Sequence, residues 1–151
     1  MAIDAQDPVH GVRLVVSLYR EFEQVARQGD LSMAQYRTLL YLLGGSRRAG
    51  ELAAANAVTK PTVSAMINGL RQQGWVADAA DETGDGRVTR VELTAAGRAR
   101  LERFEGELAL RMEQLLPGTD RTQVRQFFGA LQAAHRSTRE ERLGGVFDAD
   151  R

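Results

Sequence analysis

The segment from Gly50 to Val76, GELAAANAVTKPTVSAMINGLRQQGWV, constrains the fold more than any other stretch. Within it Val63, Met66, Ile67 and Leu70 recur at three- and four-residue spacing, the one-sided apolar stripe of a helix. Leu52, Ala53 and Val58 mark the inner side of a preceding helix, and Asn56-Ala57-Val58-Thr59 reads as a tight turn between the two. Thr59 is placed to cap the second helix, because its hydroxyl can accept a bond from a first-turn N–H that has no intrahelical partner. Pro61 comes two residues later, where a missing N–H costs nothing. The outer face carries Lys60, Thr62, Ser64, Ala65, Asn68 and Arg71, all small, polar or cationic. Such a pair predicts a helix-turn-helix whose second helix fits a DNA major groove. An ordinary helical hairpin with a solvated face satisfies the same pattern.

The residues after Gln73 narrow the choice. Gly74 stops the helix by taking a left-handed backbone conformation. Two strands are expected next, Val76–Ala80 and Val88–Leu93, around the turn-rich DETGDGR, whose tip holds Gly84, Asp85, Gly86 and Arg87. A helix-turn-helix with a β-hairpin after it is a winged helix. The three pieces GELAAANAVTKPTVSAMINGLRQQGWV, DETGDGR and VELTAAG together resemble the DNA-binding lobe of the MarR family of bacterial transcriptional regulators, and the resemblance extends over roughly residues 10 to 140.

With 151 residues, 43% hydrophobic and 26% charged, the chain is of globular composition and large enough to bury a core. The absence of cysteine excludes disulfides, zinc-thiolate sites and thiol redox sensing by this chain. No apolar run approaches bilayer length and MAIDAQDPVH lacks a basic-then-apolar signal, so a cytoplasmic location is expected. The formal net charge is zero. Between Ser46 and Arg100 eight Lys or Arg face six acids, so contact with DNA would depend on local placement and on doubling in a dimer.

Taken in order, His10 to Arg27 reads as an amphipathic helix through Leu14, Val15, Leu18, Phe22 and Val25. Ser32 with Gln35 forms a capping box, with Leu31 and Tyr36 as its hydrophobic staple, and starts a helix running to Leu43. The first helix of the helix-turn-helix is expected from Arg47 to Ala57, weakly capped because Arg48 stands where Ser or Thr is preferred. After the hairpin, Thr94 caps a long helix carrying Leu101, Phe104, Leu108, Met112, Leu115 and Leu116. Pro117-Gly118 breaks it, and Thr119 is placed to cap a last helix through Phe128 and Leu131.

The expected fold is therefore mainly α with a small β-hairpin wing. It is one MarR-like domain over 1–151, with a winged helix-turn-helix at 31–93 and a connecting helix at 94–116. The helices at 10–28 and 119–140, and the connecting helix, carry apolar stripes that one winged domain cannot completely cover, so a homodimer is expected, as the resemblance also implies; a self-contained helical bundle is the alternative.

For DNA, Thr59, Lys60 and Thr62 are assigned mainly to phosphates at the helix N-terminus. Pro61, Thr62, Ala65 and Asn68 are assigned to the groove floor, with Ser64 and Arg71 alongside; Asn68 could pair with adenine and Ala65 could touch a thymine methyl. Arg87 at the wing tip is the candidate for a minor groove, and Arg90 for flanking phosphates. The sequence departs from the family pattern where Ala65 and Gly86 replace common arginines, and where Asn56 replaces an apolar residue; Asp85 and Arg87 match. A missing base contact would weaken binding by ~1–3 kcal/mol.

His10 and His135 are isolated from any nucleophile-and-acid pattern and no spaced metal-ligand set is present, so neither an enzyme nor a cofactor or metal site is expected. The resemblance implies a pocket for a small aromatic or hydrophobic effector. Tyr19, Tyr36, Tyr41 and Phe104 are candidates to line it, with Arg13 or His10 to meet a carboxylate. The reading is a homodimeric, sequence-specific DNA-binding repressor on a pseudo-palindromic operator. The alternative is a winged-helix dimer that serves as a protein-interaction module without DNA.

Overall fold

The computed structural model describes residues 8–80, 90–116, 118, 120, 122–126 and 128–133. Its elements run α1 (Pro8–Gln28), α2 (Met33–Leu42), β1 (Arg47–Arg48), α3 (Ala49–Asn56), α4 (Lys60–Gln72), β2 (Val76–Asp78), β3 (Arg90–Leu93) and α5 (Ala95–Leu115). The chain is mainly α with one small antiparallel sheet, and it divides into two compact units, Met1–Met112 and Glu113–Arg151.

In the first unit Leu31, Leu39, Leu52, Val63, Leu70, Val91, Leu101 and Phe104 are almost fully buried and form the centre of the core. Local signals set the helix starts. Ser32 accepts the Gln35 N–H at 3.2 Å while the Gln35 carboxamide accepts the Ser32 N–H at 2.9 Å, closing the capping box that begins α2. Leu39 and Leu42 of α2 are buried, whereas Leu43 lies just past its end and is exposed.

The start of α3 differs from the sequence expectation. Arg47 and Arg48 are not helical. They form β1, which pairs antiparallel with β3 in the register Arg47↔Val91 and Arg48↔Arg90, giving a three-stranded sheet of order β1-β3-β2. The helix begins only at Ala49, where the Glu51 carboxylate accepts the Arg48 N–H at 2.7 Å. An extended pair joined to a distant strand leaves no periodicity to read locally. On the other side of β3, Val76 faces Leu93 and Asp78 faces Val91, and the Ala79 N–H adds a bond to the Arg90 carbonyl at 2.9 Å. The first strand ends at Asp78, short of the expected Ala80, and residues 81–89, with the hairpin tip and the expected start of the second strand, lie outside the described residues.

The beginning of α5 is joined to the segment just after α4. The Thr94 hydroxyl accepts the Gly97 N–H at 3.0 Å and donates to the Gly74 carbonyl at 2.7 Å, while the Thr94 N–H donates to the Trp75 carbonyl at 3.1 Å. Farther along α5, Arg100 is 4% exposed. Its guanidinium lies 2.6 Å from Asp30, 3.5 Å from Glu107, and near the rings of Trp75 and Phe104. Asp30 sits between α1 and α2, so one buried cation ties that corner to α5 and to Trp75. An ion pair between Arg111 and Glu21 fastens the far part of α5 to α1.

Only the second half of α1 joins the core, through Phe22, Val25 and Ala26. In its first half Val9, Val12, Leu14, Val15 and Val16 are each more than half exposed.

In the second unit, residues 122–126 and 128–133 are helical. Asp120 caps this helix, its carboxylate accepting the Thr122 N–H at 2.8 Å and its carbonyl accepting the Val124 N–H at 3.1 Å. Thr119, expected in that role, lies outside the described residues, as does the tail from 134. Phe128 and Leu131 are exposed.

Candidate nucleic-acid interface

The helix α4 is defined at both ends by its own residues. Thr59 has extended backbone (φ −73°, ψ 157°), its hydroxyl accepts the Thr62 N–H at 3.4 Å, and it lies 2.8 Å from the Thr62 hydroxyl. Pro61 falls in the first turn, where it sacrifices no bond. At the other end the Trp75 N–H reaches the Leu70 carbonyl at 3.0 Å and the Gly74 N–H reaches the Arg71 carbonyl at 2.9 Å, with Gly74 at φ 72°. This Schellman arrangement satisfies carbonyls that the helix leaves open.

Between those ends the two faces separate. Val63, Ile67 and Leu70 are buried, with Met66 partly so. Thr59, Lys60, Pro61, Thr62, Ser64, Ala65 and Asn68 are all exposed. Every α4 residue singled out from sequence thus lies on the accessible side, except that Arg71 is partly covered. The exposed helix start presents Lys60 and the positive end of the helix dipole to an anion.

The turn before α4 carries strain and a polar lock. Ala57 is left-handed, at φ 54°, and its geometry lets the Val58 N–H bond the Ala53 carbonyl at 3.1 Å. Beneath it Asn56 is 7% exposed and donates to the Thr38 hydroxyl at 3.0 Å and the Leu52 carbonyl at 2.9 Å. The Thr38 hydroxyl lies 3.0 Å from the Ala34 carbonyl and 3.4 Å from the Met66 sulfur. Thr38 supplies the polar partner that makes the burial of Asn56 tolerable. This link from α2 through α3 to α4 involves residues far apart in sequence, and a mid-helix threonine gives no signal of it.

Two arginines singled out from sequence are engaged within the fold. Arg71 donates through Nε and Nη2 to Asp78 Oδ1 at 3.1 and 2.5 Å, and through Nη1 to Asn68 Oδ1 at 2.9 Å. Arg90 donates to the Ser46 hydroxyl at 3.0 Å and to the Ser46 carbonyl at 2.7 Å, bracing the loop before β1. Arg87 lies outside the described residues.

Among the described residues the effector candidates have different surroundings. Phe104 is fully buried and meets Tyr36 edge-on, with ring centroids 5.2 Å apart and an interplanar angle of 62°. The Tyr36 hydroxyl faces Glu105 at 3.4 Å; burial first, and then the negative charge of Glu105, push its pKa up. Tyr41 is exposed beneath the guanidinium of Arg47, 5.2 Å from its ring centre, and Arg13 is exposed on α1. An open cleft of about 350 Å³ does lie between α1 and the start of α2. It is lined by Tyr19, Glu23, Ala26, Arg27, Ser32, Met33 and Ala34, of which only Tyr19 was among the sequence candidates.

Residues 29–87, which span α2 to the wing, match the model of the MarR family. This stretch of the chain is similar to the winged helix of the MarR family. A stretch of 54 residues is 43% identical to the HTH-type transcriptional repressor YetL of Bacillus subtilis (strain 168). That stretch is 36% of this chain and about a third (32%) of the relative's length. Solved MarR-type structures extend the likeness over most of the chain. A MarR family protein from Bacillus stearothermophilus matches with TM-score 0.69 at 18% identity, covering 91% of this chain and 99% of that one. The transcriptional repressor CouR, solved bound to a 23-mer DNA duplex, matches with TM-score 0.61 at 25% identity over 82% of this chain and 87% of that one.

Proposed function

We propose that this protein is a homodimeric transcriptional repressor that binds a pseudo-palindromic operator through α4. The observation that carries the reading is the division of α4 into a buried apolar face and an exposed, small and polar one, with its capped N-terminus open to an anion. Thr59, Lys60 and Thr62 hold phosphates; Pro61, Ser64, Ala65 and Asn68 lie along the groove; Arg71, Arg87 and Arg90 support the contact from the helix end and the wing. Double-stranded DNA is the partner, and the cytoplasm is the compartment. The likeness to YetL, named as a repressor, and to CouR, solved on a duplex, supports the same direction.

The homodimer is supported by the first half of α1, whose row of exposed valines is too apolar to face water without a partner. A second copy would cover it and set two α4 helices about one duplex turn apart. A small aromatic or hydrophobic effector would then act by favouring another spacing of those helices. Moving the population from mostly binding to mostly non-binding requires ~3–5 kcal/mol of differential affinity.

The test is titration of the full chain against duplex DNA from its own upstream region at several salt concentrations. A saturable complex with two chains per site is expected, with a salt slope corresponding to roughly four to eight neutralised phosphates. Arg87→Ala should weaken it. Absence of any preferred duplex at low salt would replace this reading by the protein-interaction module.

A further inference from the structure

Asn68 and Arg71 lie one turn apart on the exposed side of α4, and Arg71 reaches across to Asp78 at the end of β2. The guanidinium can only donate hydrogen bonds, so the carboxamide of Asn68 must turn its oxygen toward Arg71, where the separation is 2.9 Å. Its NH2 group is left to point elsewhere. Asparagine reads adenine by accepting from N6 and donating to N7 together, using both ends of the carboxamide on one base edge. With one lone pair of the oxygen taken by Arg71 and the cationic guanidinium beside it repelling a further donor, Asn68 offers chiefly its NH2 donors. The guanidinium held beside it also makes the surroundings positive, which favours an edge rich in acceptors. In the major groove guanine presents two, N7 and O6.

We infer that Asn68 selects guanine rather than adenine in the operator, and that Asp78, through Arg71, is the positioning residue that fixes this choice. The inference rests on the proposed DNA-binding role of α4. An exposed ion pair such as Arg71–Asp78 adds little to stability, so its effect is on orientation, not on folding.

Two measurements test it on the full chain. The first is the NMR signal of the Arg71 Nε–H and of the Asn68 carboxamide without DNA. Slow exchange of the Nε–H, lost in Asp78→Asn, is expected; a freely exchanging Nε–H indifferent to Asp78→Asn overturns the network and the inference with it. The second is selection of duplexes from a random library by the wild type and by Asn68→Ala, Arg71→Met and Asp78→Asn. The wild type should enrich guanine at one position in each half-site, with discrimination of about tenfold. Asn68→Ala should flatten that position alone, and Arg71→Met and Asp78→Asn should move it toward adenine. Adenine in the wild type, or guanine unaltered by Arg71→Met, overturns the inference while leaving DNA binding intact. If no duplex is retained although the Nε–H is protected, the DNA-binding reading fails and takes the base preference with it.

Discussion

A β-carbon on Gly97 would lie 2.0 Å from the carbonyl oxygen of Trp75 and 2.8 Å from both the carbonyl carbon of Trp75 and Cδ1 of Leu93. The first turn of α5 therefore rests directly on the backbone just after α4, at the same carbonyl that accepts the Thr94 N–H. Gly97→Ala forces two backbones apart rather than bending a side chain. A loss of about 3 kcal/mol or more is expected in urea unfolding, above the usual range for overpacking. Gly106→Ala on the same helix, where nothing lies within 4 Å, should stabilise by roughly 0.5–1 kcal/mol.

Ala57 occupies the left-handed turn between α3 and α4 that glycine fits without steric cost. Ala57→Gly removes a strain of ~1–2 kcal/mol and adds chain entropy to the unfolded state, for a net gain of up to about 1 kcal/mol. Thermal unfolding measures this directly, and a fall in midpoint would contradict it.

Thr38 and Asn56 form a buried polar pair whose members need one another. Thr38→Val leaves the Asn56 amide with one partner fewer and should cost roughly 1–3 kcal/mol; Asn56→Leu should cost a similar amount. The double variant should cost less than the sum of the singles, because an apolar pair has nothing left unsatisfied. Additive losses in a double-mutant cycle would show the pair to be uncoupled.

The hydrogen bond from Arg100 holds the Asp30 carboxyl below its ordinary range. A carboxylate whose folded pKa is depressed contributes stability that is present above its unfolded pKa and lost as pH falls through the folded one. The contribution of Asp30 should thus be constant near neutrality and fade below about pH 4. Asp30→Asn should destabilise by roughly 1 kcal/mol at pH 7, discounted because Asp30 is largely exposed, and the gap to wild type should close on acidification. A gap that persists at low pH would assign the effect to something other than this pair.

If a second copy covers the exposed valines of α1, paired glutamates there should prevent it. Val12→Glu with Val16→Glu is expected to shift sedimentation from dimer to monomer and to weaken operator binding, while leaving the circular dichroism of the winged helix unchanged. An unchanged sedimentation coefficient would place the interface elsewhere.

The sequence by itself determined what depends on neighbours along the chain. The stripe of Val63, Ile67 and Leu70, the Thr59 cap, the Ser32–Gln35 box and the glycine stop at Gly74 are all formed within a few residues, so their spacing carries the information. Helical periodicity also exposed the α4 face proposed to meet DNA. Tertiary structure decided what depends on pairing at a distance. Arg47-Arg48 became a strand because β3 was there to receive it, and Arg90 was drawn to Ser46. Arg100, one cation among many in the sequence, became the buried tie between Asp30 and α5. Asn56 found its partner in Thr38, and Gly97 met Trp75. No local pattern encodes these contacts, since hydrogen bonds and ion pairs are specified only when the folded backbone brings donor and acceptor together.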